Sequence, residues 1–164
     1  MFSKILVPID GSPTSYRGLQ CAVDVAKKYG AEITLMHVIE QPTYGFSGSV
    51  VPSIPEKVYA DLERFSEELL AKRTRELTRM GVRTRTLVKR GNPSDEVLNV
   101  SRDFDLIVMG SRGVGGFKKL LLGSVSSKVA FEAPCTVTLV RPPSLAASPA
   151  SEDRPPERDV PPIF

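Results

Sequence analysis

The sequence predicts an α/β protein, an open five-stranded parallel sheet with helices on both faces. Three observations predict it. Short, nearly continuous apolar runs (KILVPI, ITLMHVI, LIVM, CTVTLV) alternate with segments of helical period, as strands buried on both faces do. Glycine and proline punctuate the joints between them. The resulting order, βαβαβαβαβ, closes through right-handed crossovers into a doubly wound sheet.

The first strand is Lys4 to Ile9, ended by Asp10-Gly11. Ser12 then stands as a helix N-cap with Pro13 at the first helical position. Leu19, Ala22, Val23 and Ala26 recur at helical spacing, and Gly30 closes this helix. Ile33 to Ile39 is the second strand. The stretch QPTYGFSGSVVPSIP (41–55) is a long loop, of the kind that is either mobile or functional. A long helix is predicted from about Pro55 to Met80, with Val58, Leu62, Phe65, Leu69, Leu77 and Met80 near one face, turned to the core. Gly81 ends it. Val82 to Val88 alternates as a strand exposed on one face, near a sheet edge. Asn92-Pro93 opens a short helix, Leu106 to Met109 is the fourth strand, Ser124 to Phe131 is helical, and Cys135 to Val140 is the fifth strand. There is no internal repeat.

From Pro142 the composition changes. Residues 142–164 hold seven of the 14 prolines and almost no periodic apolar pattern. The reading is therefore a domain over 1–141 and a Pro-rich tail over 142–164, extended or disordered in isolation. The end of the tail, Val160 to Phe164, is apolar enough to dock on a surface.

With 164 residues, 41% hydrophobic and 25% charged, the chain is of the size and composition of one soluble domain. No apolar run reaches the roughly 20 residues that span a bilayer, and MFSKILVPID has neither the h-region nor the cleavage site of a signal peptide. A cytoplasmic location is the expectation. Cys21 and Cys135 are read as two buried thiols rather than a disulfide or metal site. The net charge is +3, but the tail holds two arginines and four acids, which leaves 20 basic and 15 acidic groups in 1–141. That excess suits an anionic small molecule. Without a basic stripe interleaved with aromatics, no nucleic acid partner is expected, and no membrane.

In an open parallel sheet the ligand crevice lies at the C-terminal ends of the strands where winding reverses. For strand order 3-2-1-4-5 these are strands one and four, and the sequence places Pro8-Ile9-Asp10-Gly11-Ser12 after one and GSRGVGGFKKLLLGS (110–124) after the other. Glycine lets backbone N–H groups approach an anion. Gly123-Ser124 opens a helix whose N-terminus favours negative charge, and Arg112, Lys118 and Lys119 stand near. Glycine content alone leaves two readings open, a phosphate cradle or a plain strand-to-helix turn. Sharper signatures fail: a Walker A loop would need Lys-Ser/Thr where Gly116-Phe117 stand, and GxGxxG is absent in strict form. A receiver domain would need an acidic cluster after strand one, where only Asp10 stands, and a phosphorylatable Asp after strand three, where Lys89-Arg90 stand.

Gly110-x2-Gly113-x9-Gly123-Ser124 resembles the G-x2-G-x9-G-[ST] motif of the universal stress protein family. KILVPIDGS, LMHVIE, DLIVMGSRG and PCTVTLVR are similar, in order, to that family's first, second, fourth and last strands, so the resemblance covers nearly all of 1–141. It implies a flavodoxin-like fold with strand order 3-2-1-4-5, a homodimer formed through the fifth strand (Cys135 to Val140), and ATP binding, since every position of the glycine motif is kept. Carried over by position, Pro8, Ile9 and Asp10 line the adenosine site, with Asp10 on the ribose hydroxyls. Val38 offers backbone groups to adenine, with Met109 nearby. Gly110 and Gly113, flanking Arg112, lie under ribose and phosphates, and Gly123, Ser124 and Val125 hold the triphosphate end. Mg2+ or Mn2+ is expected on the phosphates. The tail after Arg141 departs from the family pattern.

Other residues read more plainly. His37, the only histidine, has no partner in its segment and is read as structural or ligand-lining, not catalytic. TRTLVKR is read as a solvated face. Three functions follow: an ATP-dependent stress-response protein read by an unknown protein partner, a slow ATPase or phosphotransferase, and an interaction module working through the Pro-rich tail.

Overall fold

A computed structural model of the chain describes residues 1–41, 55–113 and 122–142. The 41–55 loop, the centre of the glycine loop with Lys118 and Lys119, and the tail beyond Pro142 lie almost wholly outside these residues. Five strands, β1 (Lys4–Pro8), β2 (Glu32–Glu40), β3 (Thr84–Gly91), β4 (Leu106–Gly110) and β5 (Thr136–Val140), form one sheet in the order β3-β2-β1-β4-β5, parallel throughout. That is the order predicted. Between them run α1 (Pro13–Tyr29), α2 (Glu56–Arg79), α3 (Pro93–Val100), a 3₁₀ turn at Ser101–Asp103, and α4 (Ser124–Glu132).

Because β1 is central, Ile5, Leu6 and Val7 are all fully buried. Alternation sends Ile5 and Val7 to one core, with Ile33, Leu35, Val108 and the inner faces of α1 and α2. Leu6 goes to the other, with Met36, Ile107, Val97 of α3 and Val129 of α4. This two-sided burial is why the strands read as continuous apolar runs. The helix starts follow their caps. Ser12 Oγ accepts the Ser15 N–H at 3.1 Å before Pro13, and Asn92 Oδ1 accepts the Ser94 N–H at 3.0 Å before Pro93. Gly30 ends α1 at φ 67°, a conformation that favours glycine.

The face of α2 is a correction. Of the predicted face, Leu77 is buried and Leu69 packs partly buried against the core, but Val58, Leu62, Phe65 and Met80 are exposed, Phe65 by 58%, and Ser66 and Leu70 are buried instead. The first turns of this 24-residue helix stand at the C-terminal end of β3, where Arg90 pairs with Glu63 at 2.7 Å and stacks on Tyr59. The helix is longer than the strands it covers, so its leading apolar residues find little to pack on. Ser66 tolerates burial by donating its hydroxyl to the Leu62 carbonyl at 2.7 Å. Other differences are smaller. Strand β1 stops at Pro8, β3 starts at Thr84 and includes Lys89 and Arg90, and β5 starts at Thr136. Both cysteines are free but only half-buried, and burial pushes the Cys135 thiol up.

Candidate functional site: the cleft between β1 and β4

Strands β1 and β4 are in register over Ile5–Leu106 and Leu6–Ile107 alone, whereas β1 stays paired with β2 through Pro8–Met36. Beyond Leu6 the two central strands part, with α1 leaving one side and the glycine loop the other. A cleft of about 650 Å³ opens there, a size suited to a nucleotide-sized ligand.

All eleven residues singled out in the sequence line this cleft. Pro8, Ile9 and Asp10 come from the end of β1, and Val38 from β2. Met109, Gly110, Arg112 and Gly113 come from β4 and the loop after it, and Gly123, Ser124 and Val125 from the start of α4. Asp10 is held by the turn it begins, since the Ser12 N–H donates to Asp10 Oδ1 at 3.0 Å and Gly11 takes φ 82°. The glycines differ in what their missing Cβ permits. A Cβ on Gly113 would collide with Asp10 Oδ2. A Cβ on Gly110 would lie 3.0 Å from the Thr14 carbonyl carbon and 3.1 Å from the Ser15 nitrogen, in the first turn of α1. Gly18 faces Met109 and Gly110 in the same way, at 3.2 and 3.3 Å. Gly110 therefore lets α1 press on β4, while Gly113 leaves room for the Asp10 carboxylate. Gly123 meets nothing closer than ordinary contact.

Sequence reasoning missed Ser126. Its hydroxyl, 2% exposed as part of the residue, donates toward the Ser111 carbonyl at 2.8 Å or the Gly123 carbonyl at 3.0 Å and receives the Gly123 N–H at 3.1 Å. The Gly123 N–H also reaches the Ser111 carbonyl at 2.8 Å, and the Ser111 N–H donates to Val140 at 2.8 Å. Both ends of the glycine loop are thus tied to one another and to β5. Ser126 stands three residues after the cap, where a side chain can reach back to the cap N–H, and that spacing was its signal. The first turn of α4 faces the cleft with Gly123, Ser124, Val125 and Ser126, and its leading N–H groups have no partner within the helix. Glu40, Pro93 and His37 also line the cleft. Burial pushes the His37 imidazolium below its ordinary range, opposed by the charge of Asp10.

This topology and cleft can be set against known proteins. The sequence profile of the universal stress protein family matches residues 1–141. The chain belongs to the universal stress protein family. Universal stress protein YxiE of Bacillus subtilis is 35% identical over 150 residues, covering 86% of this chain and all of that one. The universal stress protein UspA of Lactobacillus plantarum superposes with a TM-score of 0.73 at 24% identity, over 85% of this chain and 97% of that chain. A universal stress protein solved in complex with cAMP has the same fold, with a TM-score of 0.64 at 21% identity over 85% and 97% of the two chains. The family thus accounts for the sheet order and the two helical layers seen here.

Proposed function

We propose that the cleft binds an adenine nucleotide, ATP, and that the protein acts as a nucleotide-dependent stress-response regulator. One observation carries this reading. The N-terminal turn of α4, the glycine motif and Asp10 converge on a single cleft at the point where β1 and β4 part. A helix N-terminus and glycine backbone suit phosphates. The carboxylate of Asp10 suits ribose hydroxyls, and the β2 end at Val38 suits the base. The cAMP complex of another protein with this fold supports an adenine ligand. Among the described residues no group of three or more His, Cys, Asp or Glu could hold an ion. In this reading Mg2+ or Mn2+ comes with the phosphates, held mostly by their oxygens and by water.

The proposed mechanism is linkage. ATP stabilises one arrangement of the glycine loop and the 41–55 loop, and a protein partner reads it. Appreciable phosphoryl transfer requires a group that positions the nucleophile in line. The titratable side chains lining the cleft from β1 and β2 (Asp10, His37 and Glu40) are assigned to ligand recognition, so hydrolysis is at most slow. Among the described residues the edge strand β5 pairs only with β4, and it is proposed as the homodimer seam, over Cys135 to Val140. A cytoplasmic location, and a tail over 142–164 that serves the partner, complete the proposal.

The test is to denature protein purified without added nucleotide and identify what is released by chromatography and mass spectrometry. ATP or a close relative near one per chain is the expected result. An empty protein that also shows no ATP binding by calorimetry with Mg2+ overturns it. Light scattering tests the dimer, and removal of residues 142–164 tests the tail, with ATP affinity kept and partner binding lost.

A further inference from the structure

We infer that His37 is a proton-linked specificity residue of the cleft, favouring phosphorylated over uncharged ligands as the pH falls below neutrality; this rests on the nucleotide reading above. His37 stands on β2 just past the end of β1, where Pro8 is in register with Met36 and the Ile9 N–H donates to the Met36 carbonyl at 2.8 Å. The ring lies in the cleft wall, edge-on to Phe65 of α2 with ring centroids 6.4 Å apart. Its Nδ1 has no exposed surface and no hydrogen-bond partner among the described residues.

Protonating this ring puts an N–H on both nitrogens, one of them with nothing to accept it, so the neutral form is held in the ligand-free cleft. The surroundings add little to oppose that. On β3 the register neighbour is Val88, and α2 presents Phe65. At that end of these two elements Arg90 pairs with Glu63 and Glu56, and Arg64 with Asp61, while Lys89 follows Val88 on β3 in register with Val38. Glu40 and Arg112 line the same cleft, but Asp10 is the charged group that acts on the ring. A phosphorylated ligand brings negative charge into the cleft, which favours the imidazolium. Its base and sugar displace water, which deepens the desolvation that already holds the ring neutral, and an uncharged nucleoside has that effect alone. Binding of the phosphorylated ligand is then coupled to proton uptake.

Since His37 is the only histidine, its Cε1–H proton resonance titrates without overlap from any other imidazole. The experiment follows that resonance against pH in the full chain alone, with saturating Mg-ATP and with saturating adenosine. The midpoint is expected to rise by about half a pH unit or more with ATP, and to stay or fall with adenosine. Affinity for ATP should then tighten as the pH falls through the two midpoints, by up to about threefold for a half-unit rise. Calorimetry at pH 6 in two buffers of different ionisation heat should show proton uptake with the wild type and none with His37→Gln. A midpoint that stays put or falls when ATP saturates the cleft overturns the inference alone. A wild-type chain that binds no ATP at any pH overturns the nucleotide reading with it.

Discussion

The carboxylate of Asp10 occupies the space that a side chain on Gly113 would need. The two residues are 103 positions apart in sequence, one after β1 and the other after β4, the two strands that part to open the cleft. Gly113→Ala must push the carboxylate aside and strain its bond from the Ser12 N–H. The expected outcome is a loss of ATP affinity of about tenfold or more, greater for Gly113→Val. The melting temperature should stay near wild type, because the displaced group is the end of an exposed side chain. Calorimetry and thermal melts together check it. A well-folded variant that binds ATP as tightly as wild type would misplace the site.

Gly110→Ala should behave differently. Its Cβ meets backbone atoms of Thr14 and Ser15, which cannot swing away, so α1 must lift from β4. A stability loss of about 1–3 kcal/mol is expected, as for other overpacked sites, read by urea denaturation. The variant separates a glycine needed for packing from one needed for access.

Ser126→Ala should loosen the glycine loop at its base. The buried hydroxyl is lost to the Gly123 N–H and to the Ser111 and Gly123 carbonyls, although the Gly123–Ser111 backbone bond remains. A cost of about 1–2 kcal/mol in urea unfolding is expected. Hydrogen exchange should quicken at Gly123 more than at Ile107, deep in β4.

The central strands, the caps and the cleft-lining positions were legible because each rests on local chemistry. Ile5 to Val7 read as a two-sided strand, Ser12-Pro13 and Asn92-Pro93 as helix starts, and Asp10 and Gly113 as strand-end punctuation. Ser126 was harder to see, because its partners Ser111 and Gly123 come together only once the loop is closed. The face of α2 was misread for a plainer reason. Val58, Leu62, Phe65 and Leu69 form an apolar stripe at helical spacing, but spacing does not say how far the sheet extends beneath it. The buried residues that were not named, Ser66 and Leu70, lie about one residue further round the helix, on the side where the predicted Leu77 is also buried.

That correction can be tested by substitution. Leu70 is 1% exposed and should cost about 2–5 kcal/mol when changed to alanine. Phe65→Ala, at 58% exposure, should cost much less than a buried phenylalanine would. Guanidinium denaturation of the two variants compares them directly, and a reversed ranking would restore the original orientation of the helix.

Asp105 makes a separate prediction about acid. Its Oδ2 accepts the Ser3 hydroxyl at 2.6 Å and the Ser3 and Lys4 N–H groups at 2.8 Å each. These bonds favour the carboxylate and bring its pKa from 3.8 down to about 2. A folded-state value below the unfolded one means the contribution is complete above the unfolded value and is lost as the pH falls from about 4 toward 2. Asp105→Asn should therefore lower stability at neutral pH and flatten the decline of stability across that acid window, measured by urea unfolding at a series of pH values.

The position of β1 also bears on the order of folding. Strand β1, made before the other strands of this sheet, ends up between β2 and β4, and Ser3 and Lys4 at its start are clipped by Asp105, 101 to 102 positions later. A nascent chain can pair β1 with β2 early, but that side of the sheet stays open until β4 arrives. Such long-range closure is slow compared with local contacts. One wall of the cleft comes into being only at that step, so a ligand that needs both walls cannot assist the early stages. It can only hold the finished product, acting as a late ratchet on a chain already committed to its topology.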